Sequence, residues 1–484
     1  MANTLSKSAA RGGAITLAGQ ATKITIQFLV LIVLGRLLGP EDFGLIVMVT
    51  AVVGVGELIR DFGLSAAAMQ AKHVSPSEKT NLFWANTFIG LFLTIATCLL
   101  ALPISVLYDD IRLLPIVLAL SCTFAINGVQ TQFQVELARN LKFGSLMVTD
   151  IIAQFAGLAA GIGFALAGAG YWSLVAQLLA IPLVLCVSRM GASGWWPSLP
   201  KRRVSIRPYL TYGWHLVVAQ IVNYMSANAP SVLIGLQSGP SSLGNYNRAY
   251  QIVIVPISQV LAPFTNVLLP VLSRVQEDRF AFGEYVLRIQ RTVGYLAAIA
   301  FAIVVAAAGS IVSIALGQGW EETAVLLTIL AIGGAFQSLS FIGYWVFLSR
   351  AATKSLLHYN LVTKSMVLAF TLVGSLISVE AIAIGYSLGL ALSWPICLLW
   401  LHRGKHIHAT ALWKSGLRIL AVAFVGTVAG FTVGAFASLP SFLDLLLVSS
   451  TVICTSFLIM FTTKALRGDL TAILKVALLV LRKT

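Results

Sequence analysis

Long apolar runs separated by short polar connectors make up almost the whole chain. A run of about 20 apolar residues is long enough to cross a bilayer as a helix. Fourteen such runs are predicted, so the chain returns to the side of the membrane on which it starts. Their approximate limits are 13–35, 43–69, 82–107, 113–136, 145–168, 171–190, 210–236, 244–272, 288–316, 323–349, 356–377, 381–401, 417–437 and 442–463.

One connector sequence occurs twice at equivalent places. Gly35 to Gly44 reads GRLLGPEDFG and Gly235 to Gly244 reads GLQSGPSSLG, so both follow G-x-x-x-G-P-x-x-x-G. The first glycines end one helix, the proline prevents its continuation, and the last glycine relaxes the first turn of the next helix. Two such hairpins indicate two copies of one multi-helix unit.

Composition identifies a membrane protein. The 484 residues are 58% hydrophobic and only 10% charged, with a mean hydropathy of +0.91. A soluble core does not bury that much apolar surface. The sequence pI of about 9.8 would suit nucleic acid, but the basic residues are divided among short connectors rather than gathered on one face. No nucleic-acid partner is therefore predicted.

The basic residues also predict the topology. Lys and Arg concentrate on the cytoplasmic side of membrane proteins, and here they favour the N-terminus, every second connector and the C-terminus. The intervening connectors are short and carry acids, for example Glu41, Asp110 and Glu322. Both termini are accordingly predicted to be cytoplasmic.

The repeat and the longest internal connector predict four parts. Residues 1–190 form an N-terminal lobe of six helices, 191–209 a cytoplasmic linker, and 210–401 a C-terminal lobe of six helices. Residues 402–484 add two helices and an amphipathic tail along the membrane surface. The tryptophans and basic run of the linker are expected to anchor it at the interface.

The connectors leave little room for enzyme chemistry. None of the outer connectors is long enough for a soluble catalytic domain, and the nucleotide-binding pattern G-x-x-x-x-G-K-[ST] is missing. The five cysteines lie inside apolar runs without ligand spacing, so neither disulfides nor a metal site is predicted. A glycan polymerase or ligase, the enzyme alternative, would need one extended outer loop. The chain is predicted to be a transporter rather than an enzyme.

Polar residues inside the spans are the candidate functional groups. Gln20, Lys23 and Gln27 share one face of the first helix, which is expected to border a hydrated cavity. Alternatively, Lys23 snorkels or pairs with a structural carboxylate. The equivalent face of the seventh span holds Asn223, with Tyr224 beside it.

Other spans carry charged and amide groups that allow structural or functional roles. Glu57 is spaced to reach Arg60 or Asp61 across one helical turn. Asp150 and Lys364 are isolated charges within spans. Each is expected to bind substrate or an ion, or the two are expected to pair with each other. An amide face suited to sugar hydroxyls or to joining helices is formed by Asn127, Gln130 and Gln134.

GRLLGPEDFG, after a basic N-terminus and a polar first helix, resembles the oligosaccharide and polysaccharide flippases of the multidrug/oligosaccharidyl-lipid/polysaccharide exporter superfamily. The resemblance covers essentially the whole chain, although the second copy departs from the motif at Gln237, Ser241 and Ser242. It implies two six-helix lobes around a cavity that opens alternately to each side. It also implies an undecaprenyl-pyrophosphate-linked glycan as substrate, flipped across the bacterial cytoplasmic membrane for exopolysaccharide, capsule or O-antigen assembly.

The resemblance gives the candidate residues specific expected roles. Lys23, Arg60 and Lys364 would contact the pyrophosphate, whereas the amides and Tyr224 would contact the glycan. An ion gradient of protons or sodium would drive transport, with Asp61 or Asp150 as the coupling group and no bound cofactor. The expected partners are the lipid-linked oligosaccharide, membrane lipids, a polysaccharide polymerase and export machinery. The alternatives are an antiporter of small cationic drugs and a flippase of lipid-linked peptidoglycan precursors.

Overall fold

The computed structural model is all helical, as the sequence predicts. It describes the backbone of residues 2–61, 64–71, 73–201, 207–403, 409–437 and 439–481. Side chains are described from 19 to 473, except at 61–63, 66–67, 70, 72, 202–219, 222, 258, 260, 262–263, 266–267, 404–408 and 438.

The described backbone contains sixteen helices. They are α1 (Ala2–Leu37), α2 (Pro40–Asp61), α3 (Leu64–Gln70), α4 (Pro76–Leu107), α5 (Leu113–Arg139), α6 (Phe143–Leu166), α7 (Trp172–Ser193), α8 (Arg207–Arg274), α9 (Arg279–Ala306), α10 (Ala308–Ala315), α11 (Glu321–Ser349), α12 (Thr353–Ser375), α13 (Val379–Arg403), α14 (Ala409–Phe436), α15 (Ser441–Met460) and α16 (Lys464–Leu481).

Twelve helices within the described residues are long and apolar enough to cross a membrane. The seventh and eighth predicted spans both fall in α8, which has non-helical dihedral angles at Gly239 (φ 78°, ψ −175°). The total of fourteen spans and the side on which the termini lie therefore stay predictions.

Local sequence explains where several helices begin. Pro40 occupies the first position of α2, where its missing N–H costs nothing, and the preceding Gly39 N–H donates to Asp42 Oδ2 at 3.2 Å. α4 begins with a capping box: Glu78 N donates to Ser75 Oγ at 3.2 Å and Ser75 N to Glu78 Oε2 at 2.8 Å. The first copy of the glycine-proline motif lies where α1 ends and α2 begins, and the second copy lies at the kink of α8 at Gly239. A helix boundary or kink at each copy is what the sequence predicts.

One predicted span is interrupted in the structure. The predicted span 288–316 is interrupted after Ala306, where Ala307 has a φ of −114° and caps α9. Apolar residues continue across this break, so hydropathy alone does not reveal it. The predicted span 43–69 contains α2 and α3, and residues 62 and 63 between them lie outside the described residues.

The chain forms two compact units, Met1–Gly244 and Asn245–Thr484. The first contains α1 to α7 and the α8 residues up to Gly244, and the second contains the rest. The boundary lies inside α8, just after the kink at Gly239. The four-part division of the sequence analysis concerns repeats and topology, and it stays a prediction.

Small residues bring helices of the first unit close together. Gly90 of α4 lies against the Phe124 carbonyl of α5, and Gly128 of α5 lies against the Asn86 carbonyl of α4. Because lipid gives helices no hydrophobic reason to associate, such close backbone packing is a main source of cohesion in membranes. α5 is thereby held at the centre of this unit, between α4, α2 and α7.

The second unit uses the same packing. Gly374 of α12 meets the Ala381 carbonyl of α13, and Gly385 of α13 meets the Phe370 carbonyl of α12. Large side chains fill the space between helices, including Trp320 and Trp345, each 1% exposed. The amphipathic α16 packs against α9 and α15.

The linker packs on the first unit. Trp195 lies 6.1 Å from Phe83 and 5.8 Å from Phe133, measured between ring centroids, while Trp196 is 68% exposed. Trp84 Nε1 donates to Ser198 O at 2.8 Å. Of the two linker tryptophans, Trp196 has the exposure expected of an interface anchor.

Candidate functional site

An ion pair and an amide join α2 to α5 within the first unit. Arg60 Nε lies 2.7 Å from Glu57 Oε2, as the spacing of the two residues predicts, and Arg60 Nη1 donates to Thr131 Oγ1 at 2.7 Å. Asn127 Nδ2 donates to the second carboxylate oxygen, Glu57 Oε1, at 2.9 Å. Charge-assisted bonds of this kind are short and strong, so Arg60 is held in place by its neighbours.

A second ion pair lies between α6 and α7. Arg189 Nη2 donates to Asp150 Oδ1 at 2.6 Å, and Arg189 Nη1 donates to Gln130 Oε1 at 2.7 Å and Gln134 Oε1 at 2.9 Å. The Arg189 side chain is only 6% exposed, compared with 38% for Asp150. Asp150 is therefore paired with Arg189, whereas its predicted pairing with Lys364 stays an untested alternative.

The two ion pairs belong to one network. Gln130 Nε2 donates to Asn127 Oδ1 at 3.4 Å, which connects the Arg60 group to the Arg189 group. Both groups lie near the C-terminal ends of α2, α5 and α7 and the N-terminal end of α6. This is the end that the topology prediction assigns to the cytoplasm. Two arginines and two carboxylates make the network neutral in formal charge.

A cavity of about 310 Å³ adjoins this network. Its lining residues come from the middle of α2, α5 and α7, and its polar edge contains Thr50, Glu57, Thr123 and Asn127. Pro182 in α7 also lines it, and because proline has no N–H, the Leu178 carbonyl beside it is released from the helix. Most of the cavity lining is apolar, with hydrogen-bonding groups along one edge, and the cavity lies at the depth of the bilayer core.

Other predicted site residues of the first unit lie on α1 and α8. Gln20, Lys23 and Gln27 are all partly exposed on α1, which packs against α6. Asn223 is exposed. The Tyr224 hydroxyl donates to the Thr50 carbonyl at 3.0 Å, so this aromatic residue joins α8 to α2.

Two remaining candidates lie elsewhere. Lys364 is on α12 in the second unit and is partly exposed. The side chain of Asp61 falls outside the described residues. Among the residues that the structure describes, no group of His, Cys, Asp and Glu is arranged to hold a metal ion.

The family model described as "Polysaccharide biosynthesis protein" matches residues 33–325, more than half of the chain and including the cavity. This chain belongs to that family. Membership confirms the predicted relation to polysaccharide flippases of the multidrug/oligosaccharidyl-lipid/polysaccharide exporter superfamily. The family and its solved neighbours are transporters rather than enzymes, in agreement with the sequence analysis.

Curated bacterial proteins are similar over part of their length. The chain is 24% identical over 313 residues to the lipopolysaccharide biosynthesis protein WzxC of Escherichia coli, covering 63% of each chain. It is 25% identical over 260 residues to the succinoglycan biosynthesis transport protein ExoT of Rhizobium meliloti, covering 52% of this chain and 51% of that protein. The matches therefore span about half to two thirds of these relatives. The chain is a multi-pass protein of the bacterial inner membrane.

Solved structures share the fold. The lipid II flippase MurJ in an inward closed conformation superposes with a TM-score of 0.71 over 93% of this chain and 98% of that one, at 12% identity. An inward-facing multidrug transporter of the MATE family gives 0.57 over 83% and 99%, at 14% identity. At this identity the likeness concerns the fold alone.

Two members of the network, Arg189 and Thr131, are not among the candidates that the sequence indicates. Arg189 lies at the end of a span, where the concentration of basic residues on the cytoplasmic side already explained it. Thr131 is one turn beyond Asn127, inside the amide face of α5, and it is 4% exposed. Counting hydroxyl as well as amide groups on this face would have included Thr131, whereas nothing in the sequence pairs Arg189 with Asp150.

Proposed function

We propose that this protein flips undecaprenyl-pyrophosphate-linked oligosaccharide units across the cytoplasmic membrane, for exopolysaccharide, capsule or O-antigen synthesis, by alternating access. One observation carries the proposal: a member of a polysaccharide biosynthesis family has a cavity with a polar edge in the middle of its membrane-spanning helices. Sugar hydroxyls are hydrogen-bond donors and match the carboxylate, amide and hydroxyl groups that line it. The names of the relatives, which include a succinoglycan transport protein, support the same substrate class.

The size of the cavity limits what it holds. A volume of about 310 Å³ is at the lower end of small-molecule sites, so it accommodates part of a glycan rather than a whole repeat unit. The diphosphate needs separate cationic partners. Arg60 already donates to Glu57 and Thr131, so we assign this role to Lys23.

Coupling to a proton or sodium gradient is part of the proposal. Asp150 would need to exchange Arg189 for the ion, because the two form an ion pair at 2.6 Å. Asp61 is the second candidate. A polysaccharide polymerase and export machinery are the proposed protein partners, since they would act on the flipped unit.

Filling the cavity tests the proposal. Thr123 lines the cavity and the adjacent Cys122 is exposed on the outside of α5. In cells lacking the native gene, Thr123→Phe should restore polysaccharide export poorly and let the lipid-linked glycan accumulate. Cys122→Phe, present at the same membrane level, should behave as the unchanged protein. Equal export by both variants would contradict a role for the cavity.

The cationic contact has its own test. Lys23→Ala should cause the lipid-linked glycan to accumulate as in the deletion strain, whereas Lys414→Ala, at an exposed position, should not. The pool of lipid-linked peptidoglycan precursor and the sensitivity to cationic drugs should be measured in the same strains. If deletion changes one of these and leaves the glycan intermediate unchanged, the corresponding alternative replaces this proposal.

A further inference from the structure

Two arginines lie at one end of the second unit, where two membrane spans terminate. Arg350 follows directly after Ser349, the last residue of α11, and Arg279 is the first residue of α9. Residues that flank a span lie at the depth of lipid head groups. Both guanidinium groups are thus at the level where phosphate is most concentrated.

The protein fixes the Arg350 guanidinium without neutralising it. Arg350 Cζ lies 4.3 Å from the centroid of the Phe282 ring, a side chain that is 0% exposed. Arg350 Nε and Nη2 are buried and have no hydrogen-bond partner among the described residues. An arginine held over an aromatic ring keeps its full charge and its fork of donors.

The charge that acts on Arg350 within the described residues has the same sign. Burial lowers the pKa of Arg350, and so does the positive charge of Arg279. The neighbouring Asp278 caps α9, because its Oδ1 accepts from Phe280 N at 2.9 Å and from Ala281 N at 3.0 Å. Two cations that repel each other are unfavourable unless an anion joins them.

The surroundings are suited to lipid. Phe280, next to Arg279 on α9, is 81% exposed. A large exposed apolar side chain beside a cation at the end of a span matches the junction between a head group and its acyl chains.

We propose that Arg279 and Arg350 form a binding site for the phosphate of an anionic phospholipid in the leaflet at this end of the second unit. The phosphate oxygens accept from the exposed part of the Arg350 fork and from Arg279, and the acyl chains pass over Phe280. The site is separate from the cavity of the first unit and does not depend on the substrate that is transported.

Lipid binding to the full-length purified protein tests this site. The protein in detergent is titrated with phosphatidylglycerol, and the bound lipids are counted by native mass spectrometry, with phosphatidylcholine as the neutral comparison. A phosphatidylglycerol molecule should bind the unchanged protein, and Arg279→Gln should weaken this binding on the order of fivefold, as expected for one basic residue near an anionic surface. Because Arg279 is exposed, this variant should keep the fold.

A matched variant and a second ligand separate the outcomes. Arg288→Gln removes an exposed arginine of the same helix, which lies 5.7 Å from the Tyr285 ring, and should leave binding unchanged. Equal weakening by Arg279→Gln and Arg288→Gln would show general surface attraction and overturn the site. Inorganic pyrophosphate, added together with phosphatidylglycerol, should displace the lipid only weakly. If pyrophosphate binds as tightly as phosphatidylglycerol, the site recognises free phosphate and the lipid assignment is wrong.

Discussion

Gly44 of α2 lies directly against the main-chain carbonyl of Pro240 in α8. The same relationship occurs with the two motif copies exchanged, because Gly244 lies against the carbonyl of Pro40. A Cβ atom at either glycine would overlap the opposing carbonyl oxygen. The last glycine of each motif is therefore explained by a contact between the two copies, and not by the relaxed first helical turn that the sequence analysis assigned to it.

This contact predicts the effect of adding one methyl group. Gly44→Ala should lower the free energy of unfolding by about 1–3 kcal/mol, since overpacking against backbone forces the helices apart. Gly39→Ala is the control within the same motif, because a Cβ there meets nothing within 4 Å. Thermal unfolding in detergent should separate the variants, and an unchanged melting temperature for Gly44→Ala would contradict the close contact.

The proline-preceding glycines of the two motif copies should differ in their response to substitution. Gly239 has a φ of +78°, a conformation that L side chains disfavour, whereas nothing constrains Gly39 in this way. Gly239→Ala should therefore cost about 1–2 kcal/mol of stability while Gly39→Ala costs little. Similar melting temperatures for the two variants would show that the kink in α8 relaxes without glycine.

Much of the fold follows from hydropathy, but its contacts do not. Apolar runs predict the helices because each must satisfy its own backbone hydrogen bonds in lipid. The polar groups Asn127 and Gln130 stood out inside a span and do lie in the network. Arg189 did not stand out, because the concentration of basic residues on the cytoplasmic side already accounts for an arginine at the end of a span. The partner of Asp150 and the position of Gly44 depend on which helices pack together, which a single sequence does not reveal.

The ion pair of the buried Arg189 with the partly exposed Asp150 should matter more than a surface pair. Asp150→Ala leaves a nearly buried guanidinium without its carboxylate, and we expect a loss of about 3 kcal/mol. Glu41→Gln removes one side of a pair in which the Glu41 and Arg112 side chains are 57% and 42% exposed, and should cost less than about 1 kcal/mol because Arg112 keeps Asp110 as a partner. Thermal melts of both variants should be compared.

The double variant Arg189→Leu with Asp150→Ala provides the decisive comparison. Removing both charges should recover part of the stability that Asp150→Ala loses, because no uncompensated charge remains buried. If the double variant is less stable than the unchanged protein by the full sum of the two single-variant losses, the two groups act independently, and the ion pair does not hold α6 to α7.

Asp469 should determine whether α16 stays docked on the second unit. This carboxylate is 1% exposed, lies 2.8 Å from Arg291 Nε and 2.9 Å from Arg418 Nε, and also accepts from the Tyr295 hydroxyl at 3.1 Å. Asp469→Ala leaves two arginines facing each other, so α16 should detach and its amide hydrogens exchange at least about tenfold faster in detergent. Glu284→Ala, at an exposed position of α9, should leave exchange unchanged. If α16 remains protected in Asp469→Ala, apolar packing alone holds the helix and the buried carboxylate is not its anchor.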